Sequence, residues 1–435
     1  MKKILIFLGV LVCFGAFDAP SAIAAETPTI TTIMQNGPSA NRINIVFLSE
    51  AYVASQRETY FNDVRIAVDE MFVRTPFKEY KNFFNVSAVW VASKDSLLTK
   101  VDFGEETRTF FGQWGGLGAD LIKIDSVSRS FFGQTDPIVA VLLVNDDRVS
   151  NGASQPNGIS LIGLSGMNTG LVHHDPFYQK GFYTASVVHE FSHAFAGLAD
   201  EYDGLVAMKP GATDNSLSWP FREVPPNVTT KKSLQSIRWK HWIDSSTPIP
   251  TPMSSNYIDV VGLFEGAGSY ASGLYKPKQA CTMGRYNRGE ELMPPFCQVC
   301  CEALVLAIYE YVNPLADVVV EGEHTTTFTI NNLPQPTDHS LKIEWLMNGV
   351  VVPLANDATV FSVTDTDIGY GAHTVGVRVA DETEFVRSDP EGLLRRTLEW
   401  NVSSYPQPDF DGNGTVGFDD FFLFADAFGE PVTDD

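Results

Sequence analysis

The sequence predicts a mixed α/β domain, followed by an all-β unit and a short acidic tail. Near-continuous β-branched and apolar runs alternate with helical stretches in the first part of the chain, and short alternating runs broken by turn residues follow them. The last segment combines carboxylates with phenylalanines. The chain has 435 residues, more than one ordinary domain needs, so two or three units are expected.

The composition is that of an acidic globular protein. Apolar residues make up 44% of the chain and charged residues 19%, and the formal net charge is −23. Nucleic acids and anionic membrane surfaces bind clustered lysine and arginine. The composition therefore argues against both as partners.

The first residues have the pattern of a secretory signal, which we assign to residues 1–25. Lys2 and Lys3 precede an apolar run that ends at Phe17, and small residues at 22–24 offer a cleavage site. The apolar run is short for a span of about 20 residues, which argues against a transmembrane anchor. The sequence thus predicts a secreted protein, with the cell surface as the alternative location.

The first predicted unit covers residues 26–312. Strands are expected at "RINIVFLSEAY" (42–52), "FFNVSAVWVAS" (83–93) and "PIVAVLLVNDD" (137–147). Their continuous apolar character is typical of strands covered on both faces of a parallel or mixed sheet. Residues 54–77, between the first two, have apolar residues at helical spacing. This order of elements indicates an α/β layout.

A histidine pair in "HEFSH" marks a candidate metal site. Apolar residues at helical spacing predict a helix here, so His189 and His193 project from one face, one turn apart. Such a pair can supply two imidazole ligands to zinc. Glu190 is rotated by about 100° from His189, which suits it to act on a water at the metal. The alternative is a helix with two hydrogen-bonded core histidines.

A third ligand is expected in the turn after this helix. Catalytic zinc sites have three protein ligands and an open position for water. Zinc peptidases with the third ligand close by often carry glycine seven residues and the ligand ten residues after the first histidine. Here Gly197 and Asp200 each lie one residue later. Asp200 is the predicted ligand, and Glu201 is the rival or a group that orients a histidine.

Four cysteines lie close together near the end of this unit: Cys281, Cys297, Cys300 and Cys301. An oxidising compartment favours disulfides, but the sequence does not choose the pairing. A structural zinc site made of all four thiolates is the alternative. Adjacent Cys300 and Cys301 do not match the usual ligand spacing of such a site.

An all-β unit is predicted at residues 313–403. The runs "TTTFTINNLP", "LKIEWLMNGVVVPL", "HTVGVRVADETEFVR" and "RRTLEWNV" are short and alternating. Asn348-Gly349 lies between two apolar stretches, which is a strong hairpin signal. An Ig-like or PKD-like β-sandwich is the expected fold.

The tail, residues 404–435, contains a candidate calcium loop, "DFDGNGTVGFDD", followed by a phenylalanine-rich helical stretch. Oxygen ligands fall at alternate positions, and Gly414 permits the sharp turn. The predicted ligands are Asp409, Asp411, Asn413, Thr415 through its carbonyl, and Asp420. The segment resembles one half of a dockerin, which implies a scaffold or cell-surface partner, although true dockerins carry two loops. A solvated acidic tail is the alternative.

Several motifs together resemble the IgA-peptidase type of secreted bacterial zinc metallopeptidases, metallopeptidase family sixty-four. They occur in order between residues 41 and 301: "NRINIVFLSEAY", "TPFKEYKNFFNVSAVWVAS", "HEFSHAFAGLADEY", "PNVT", "IRWKHWI", "GLFEGAGSYASGLYKP", "CTMGR" and "FCQVC". Two departures are Ser192, where the family usually has glycine, and Cys301, an additional thiol. Neither removes a group that the chemistry needs.

The resemblance implies a metzincin-like (α+β) catalytic domain that hydrolyses peptide bonds of extracellular proteins. His189, His193 and Asp200 would then bind catalytic Zn²⁺, and Glu190 would be the general base. Met283 would lie beneath the metal as an apolar floor. Tyr286 would hydrogen-bond the oxyanion, with Tyr270 and Tyr275 as alternatives.

Two other functions use the same residues. One is a zinc-dependent amidase acting on cell-wall peptides, and the other is a non-catalytic adhesin with structural zinc. Glu190 argues against the adhesin, because a structural site has no need of a base.

Overall fold

The computed structural model describes residues 27–95, 109–112, 120–145, 152–155, 159–163, 176–214, 224–284, 294–322, 325–364, 368, 371–404, 410–411 and 416–428. The predicted signal segment lies outside the described residues. No helix in the described part of the chain combines the length and the apolar character that a bilayer crossing requires.

A six-stranded mixed sheet forms the centre of the first unit. Its strands are β1 (Thr29–Met34), β2 (Ile43–Glu50), β3 (Phe84–Trp90), β4 (Ile138–Val144), β5 (Gly152–Gln155) and β6 (Ile159–Gly163). They lie in the order β1-β3-β2-β4-β6-β5. The four inner strands are parallel, and the edge strands β1 and β5 are antiparallel to their neighbours. The predicted α/β layout is confirmed.

Both faces of this sheet are covered. Every residue of β2 and β3 is buried. Ile45 and Phe47 belong to one apolar cluster, whereas Val46 and Leu48 belong to another, because successive side chains of a strand point to opposite faces. Each buried aliphatic or aromatic side chain contributes about 1.5–3 kcal/mol. Burial on both faces explains why the sequence of these strands is continuously apolar.

Helices cover the two faces. They are α1 (Arg57–Met71), α2 (Leu121–Arg129), α3 (Pro176–Ala196) and α4 (Gln298–Tyr311). Helices α1, α3 and α4 contribute to the first cluster, and α2 contributes Ile124 to the second. Helix α1 ends at Met71, before the end of the stretch 54–77 that has apolar residues at helical spacing.

A small three-stranded sheet lies after α3. It consists of β7 (Val206–Ala207), β8 (Phe264–Ala267) and β9 (Tyr270–Lys276), in the order β7-β9-β8. The turn between β8 and β9 binds the segment that follows α3: Gly268 N–H donates to the Asp200 carbonyl at 2.9 Å, and Ser269 N–H donates to the Tyr202 carbonyl at 3.1 Å. A side chain at Gly204 would collide with the Ser269 carbonyl, so only glycine allows this close approach.

Two antiparallel sheets form the second unit. One contains β10 (Val318–Glu321), β11 (Thr325–Ile330) and β14 (Val360–Thr364). The other contains β12 (Lys342–Met347), β13 (Val350–Val351), β15 (Gly371–Ala380) and β16 (Arg395–Ser404). The hairpin predicted at Asn348-Gly349 is confirmed: both residues have positive φ, and β12 pairs with β13 across them.

Aromatic rings fill the space between these sheets. Phe328 of β11 lies 5.9 Å from Trp345 of β12 and 5.0 Å from Trp400 of β16, measured between ring centroids. Trp345 also stacks on Phe361 of β14 at 5.1 Å. The facing sheets agree with the predicted sandwich architecture, while its Ig-like or PKD-like class stays a prediction. After them, helix α5 (Phe418–Ala427) occupies the predicted helical stretch of the tail.

A buried aspartate joins the two units. Asp381 follows β15, and its side chain has no exposed surface. Its carboxylate accepts hydrogen bonds from the hydroxyls of Tyr80 at 2.7 Å and Tyr309 at 2.6 Å, both in the first unit. It also accepts from His339 Nε2 at 2.8 Å and from the backbone N–H of Thr383 at 2.9 Å. This acceptor therefore fixes the position of the second unit on the first.

We expect Asp381→Ala to lower the free energy of unfolding by about 3 kcal/mol or more, because each buried donor left without an acceptor costs about 1–3 kcal/mol. Urea denaturation followed by tryptophan fluorescence measures the change. Asp338→Ala is the matched control, since Asp338 contacts the same histidine but its side chain is 47% exposed. Equal loss in both variants would contradict this role of Asp381.

Candidate metal centre

The end of helix α3 turns the chain back toward the histidine pair. Gly197 has φ +65°, and its N–H donates to the His193 carbonyl at 2.9 Å. This is a left-handed helix cap, a conformation that glycine adopts without strain. Because the chain reverses here, Asp200 returns to the face of α3 that carries His189 and His193.

Three side-chain atoms form a nearly equilateral triangle. His189 Nε2 lies 3.0 Å from His193 Nε2 and 3.1 Å from Asp200 Oδ1. His193 Nε2 lies 3.2 Å from the same Asp200 oxygen. The structure thus brings together the three residues that the sequence predicts as metal ligands.

The hydrogen bonds of the two Nδ1 atoms show which nitrogen of each imidazole carries the hydrogen. His189 Nδ1 donates to the Thr282 carbonyl at 3.1 Å, and His193 Nδ1 donates to the Leu198 carbonyl at 2.6 Å. A carbonyl can only accept, so both Nδ1 atoms carry hydrogen. In the neutral rings, each Nε2 then directs a lone pair into the triangle. Three acceptors face one another, and a single cation between them satisfies all three.

The electrostatics of the site favour positive charge. Burial disfavours a charged ring at His189, but the hydrogen bond to Asp200 and the carboxylates of Glu190 and Asp200 raise its pKa to about 9. Burial also opposes ionisation of Asp200, yet hydrogen bonds from both histidines hold the pKa of that carboxyl well below its usual range. Without a metal ion, this positive charge is a proton on the His189 ring, whose Nε2–H then donates to Asp200. A metal ion bound in the triangle would take the place of that proton.

The triangle has the size of a metal-binding face. Ligand atoms at about 2.0–2.1 Å from a tetrahedral zinc ion are about 3.3–3.4 Å apart, close to the distances observed. The Glu190 carboxylate is not part of the triangle, but it lies within 4.8 Å of the ligand atoms of both histidines. It therefore lies close enough to contact a molecule bound next to a metal ion in this triangle.

Two further side chains hold Asp200 and the residues before it. The Tyr202 hydroxyl hydrogen-bonds to Asp200, and burial together with this carboxylate raises the pKa of the phenol. Asn227 Oδ1 accepts from Ala199 N–H, and its Nδ2 donates to the Ala199 carbonyl, both at 2.8 Å. Sequence reasoning did not assign a role to either residue. Asn227 lies in "PNVT", and this motif is the sequence feature that could have indicated its role.

Glu201, the rival ligand, faces a different part of the core. It is fully buried, and its Oε1 accepts from Asn227 Nδ2 at 2.9 Å and contacts Cys300 Sγ at 3.1 Å. Its backbone N–H donates to the Met283 carbonyl at 2.6 Å. The chain therefore directs two consecutive carboxylates, Asp200 and Glu201, to two different clusters.

Met283 lies in a tight turn next to the histidines. The turn is closed by Gly284 N–H donating to the Cys281 carbonyl at 2.8 Å, and Met283 is fully buried. Its neighbour Thr282 supplies the carbonyl that orients His189. The turn thus orients His189 through the Thr282 carbonyl and holds the residue after Asp200 through the Met283 carbonyl.

The tyrosine candidates are placed differently. Tyr286 lies outside the described residues. Tyr275 directs its hydroxyl to Glu265 Oε1 at 3.1 Å, and Tyr270 packs against an apolar cluster that contains Ala199 and Val228. Neither of these positions adds to the triangle of ligand atoms.

The candidate calcium loop is described only in part. Asp409, Asn413 and Thr415 lie outside the described residues. The Asp420 carboxylate accepts the N–H of Gly417 at 2.6 Å and the N–H of Asp411 at 3.2 Å. The bond from Asp411 connects the beginning of the candidate loop to its end.

The four described cysteines form no disulfide. Cys281 Sγ lies 3.8 Å from Cys300 Sγ, whereas a disulfide bond is about 2.05 Å long. Cys301 Sγ contacts the Phe296 carbonyl instead. The disulfide prediction therefore has no counterpart in the structure, because the thiols face a shared buried centre that also contains Glu201.

Comparison with known proteins identifies the family. The family model described as IgA Peptidase M64 matches residues 31–259. A search of curated proteins returned no match. The matched region spans more than half of the chain and contains His189, His193 and Asp200. The chain therefore belongs to the M64 family of IgA peptidases, and its substrate is a protein or peptide.

Proposed function

We propose that the chain is a secreted zinc-dependent endopeptidase that uses Glu190 as its general base. The observation that carries this proposal is the triangle of His189 Nε2, His193 Nε2 and Asp200 Oδ1, whose edges measure 3.0, 3.1 and 3.2 Å. When both rings are neutral, these three acceptor atoms face one another, and a cation bound between them would satisfy all three. The carboxylate of Glu190 stands beside this face without belonging to it.

The donor set supports zinc as the metal. Two imidazoles and one carboxylate on a short stretch of chain are typical of catalytic zinc sites, which keep a fourth position open. Zinc in such a site acts as a Lewis acid and lowers the pKa of water to about 7. The backbone carbonyls of Thr282 and Leu198 fix the ring orientations, which strengthens metal binding as outer hydrogen-bond partners generally do.

The side chains of this protein would then carry out the proton transfers. Glu190 accepts the proton of the attacking water and delivers it to the leaving amine. Tyr286 lies three residues after Met283, and we propose that its hydroxyl hydrogen-bonds the oxyanion of the scissile peptide. Tyr202 donates to Asp200 and so keeps that carboxylate in position.

Turnover assays of the purified chain test this function. Casein, immunoglobulin and peptidoglycan are incubated with the protein, with chelator, and with chelator followed by zinc. We expect cleavage of at least one protein substrate, its loss with chelator and its return with zinc. Cleavage of peptidoglycan alone would favour the amidase, and zinc binding without any cleavage would favour the adhesin.

Export is part of the proposal. It is supported by the basic end, apolar run and small residues of the segment 1–25. Expression of the full chain in a bacterial host should release a mature protein to the outside of the cytoplasm, with its N-terminus near residue 26. Retention of the whole chain in the cytoplasm would contradict it.

We also propose that the tail binds Ca²⁺ and serves as a contact to a cell-surface or scaffold partner. The alternating oxygens of residues 409–420 and the bond that Asp420 makes to the beginning of this loop support calcium binding. Helix α5 leaves Phe421 and Phe422 each 60% exposed, which supplies an apolar surface for contact.

Calcium is expected to bind the tail with a dissociation constant of about 10⁻⁴–10⁻³ M. Titration calorimetry of the zinc-loaded chain measures it. Asp420→Ala should abolish the heat, because the last carboxylate of such a loop is a ligand. Asp426→Ala, an exposed carboxylate on the same helix, should leave the heat unchanged. No heat from the unmodified chain at millimolar calcium would contradict the site.

A further inference from the structure

A second cluster of metal-ligating side chains lies on the other side of the turn that orients His189. It consists of Cys281, Cys297, Cys300 and Glu201, which we call the cysteine cluster. All four residues are buried, and their ligand atoms lie within 4.8 Å of one another. Cys301 is not a member, because its thiol contacts the Phe296 carbonyl. The Glu201 carboxylate thus takes the place that the Cys301 thiolate would have in a zinc site made of all four cysteines.

The distances in the cysteine cluster fit a tetrahedral metal ion. Cys281 Sγ and Cys300 Sγ are 3.8 Å apart. Glu201 Oε1 lies 3.1 Å from Cys300 Sγ and 3.9 Å from Cys297 Sγ. Around zinc with Zn–S bonds of about 2.3 Å and Zn–O bonds of about 2.0 Å, two sulfurs are about 3.8 Å apart, and a sulfur and an oxygen are about 3.5 Å apart.

A carboxylate oxygen without a hydrogen-bond partner also indicates a metal ion in the cysteine cluster. Glu201 has no exposed surface, and its Oε2 has no hydrogen-bond partner among the described residues. A buried carboxylate without full hydrogen bonding or a metal is costly. Cys281 Sγ, in turn, accepts the backbone N–H of Cys297 at 3.3 Å, an interaction that stabilises a thiolate.

The fold places these groups where negative charge is tolerated. Cys297 occupies the N-cap position of α4, and Cys300 lies three residues later on the same side of the first turn. The positive end of the helix dipole therefore lies at the thiols. The buried ammonium of Lys276 donates to the Glu201 carbonyl at 2.6 Å, which brings a positive charge beside the cysteine cluster.

We propose that Cys281, Cys297, Cys300 and Glu201 bind a second, structural zinc ion. All four ligands come from the protein and are buried, which is the closed arrangement of a structural site. The ion would join α4 to the Cys281–Gly284 turn and to the residue after Asp200. The same turn carries the Thr282 carbonyl that orients His189, so this ion would position the first site without contacting substrate.

Metal analysis of the full mature chain tests this proposal. We expect two zinc ions per chain in the unmodified protein, one in His193→Ala and one in Cys300→Ser. Cys301→Ser is the matched control, because Cys301 is the adjacent buried thiol outside the cysteine cluster, and it should keep both ions. In the cobalt-substituted protein, thiolate-to-cobalt charge-transfer absorption should persist in His193→Ala and disappear in Cys300→Ser.

The outcomes separate this inference from the proposed function. One zinc in the unmodified chain and none in His193→Ala would overturn the second site alone. One zinc in the unmodified chain, kept by His193→Ala and lost from Cys300→Ser, would instead contradict the catalytic site.

A thiol count that needs no variant completes the test. The chain is unfolded in denaturant with chelator and without reductant, alkylated and weighed by mass spectrometry. Alkylation of all four cysteines is expected, and a mass that shows a disulfide within the cluster would overturn the proposal.

Discussion

Replacing Glu190 with glutamine is expected to abolish most peptidase turnover and to leave the metal bound. Glutamine keeps the shape of the side chain but cannot accept the proton of the attacking water. A positioned general base contributes about 10²–10⁴-fold to the rate, so kcat/KM should fall by at least that range. The zinc content should not change, because the proposed ligand atoms belong to His189, His193 and Asp200.

The comparison needs a glutamate-to-glutamine control. Glu58→Gln, at the exposed start of α1, should retain full activity. Metal content by elemental analysis and initial rates with the best protein substrate are measured on the same preparations. If Glu190→Gln turned over substrate at the rate of the control, the general base would have to be another residue.

Replacing Asp200 with alanine is expected to release the catalytic metal ion. The remaining histidine pair would offer two ligands in place of three, and the two Nε2 atoms would face each other at 3.0 Å without the carboxylate between them. Loss of an outer hydrogen-bond partner costs about 10–100-fold in metal affinity. Loss of a ligand should therefore exceed 100-fold, measured by competition with a fluorescent zinc chelator.

Asp203→Ala provides the control for this substitution, since Asp203 is an exposed carboxylate on the same segment. It should bind zinc as the unmodified chain does. Unchanged affinity in Asp200→Ala would remove Asp200 from the ligand set. In that case another residue would have to supply the third ligand.

The three central strands of the first sheet were predictable because they are buried on both faces. The edge strand β1, which is largely exposed, and the short strands β5 and β6 were not predicted. Strands β2, β3 and β4 fall within the continuous apolar runs, because none of these strands has a face exposed to solvent. The short strands β10 and β14 were not predicted. Their side chains are only partly covered, so the pattern of apolar residues is weak.

The pairing of His189 with His193 was predictable for a similar reason. Helical periodicity brings residues four apart to one face, so local geometry decides their relation. The choice between Asp200 and Glu201 was beyond sequence reasoning. It depends on the left-handed cap at Gly197, on the β8–β9 turn that binds the Asp200 carbonyl, and on Asn227.

Local patterns thus established the α/β order of elements, the helix that carries His189 and His193, and the hairpin at Asn348-Gly349. Contacts between distant segments established the rest: Asp381 joins both units, and Glu201 completes a cluster with cysteines about eighty to one hundred residues away. The physical reason is that periodicity reports only which face a residue occupies. The partner that a buried polar group meets on that face is decided by how the chain packs.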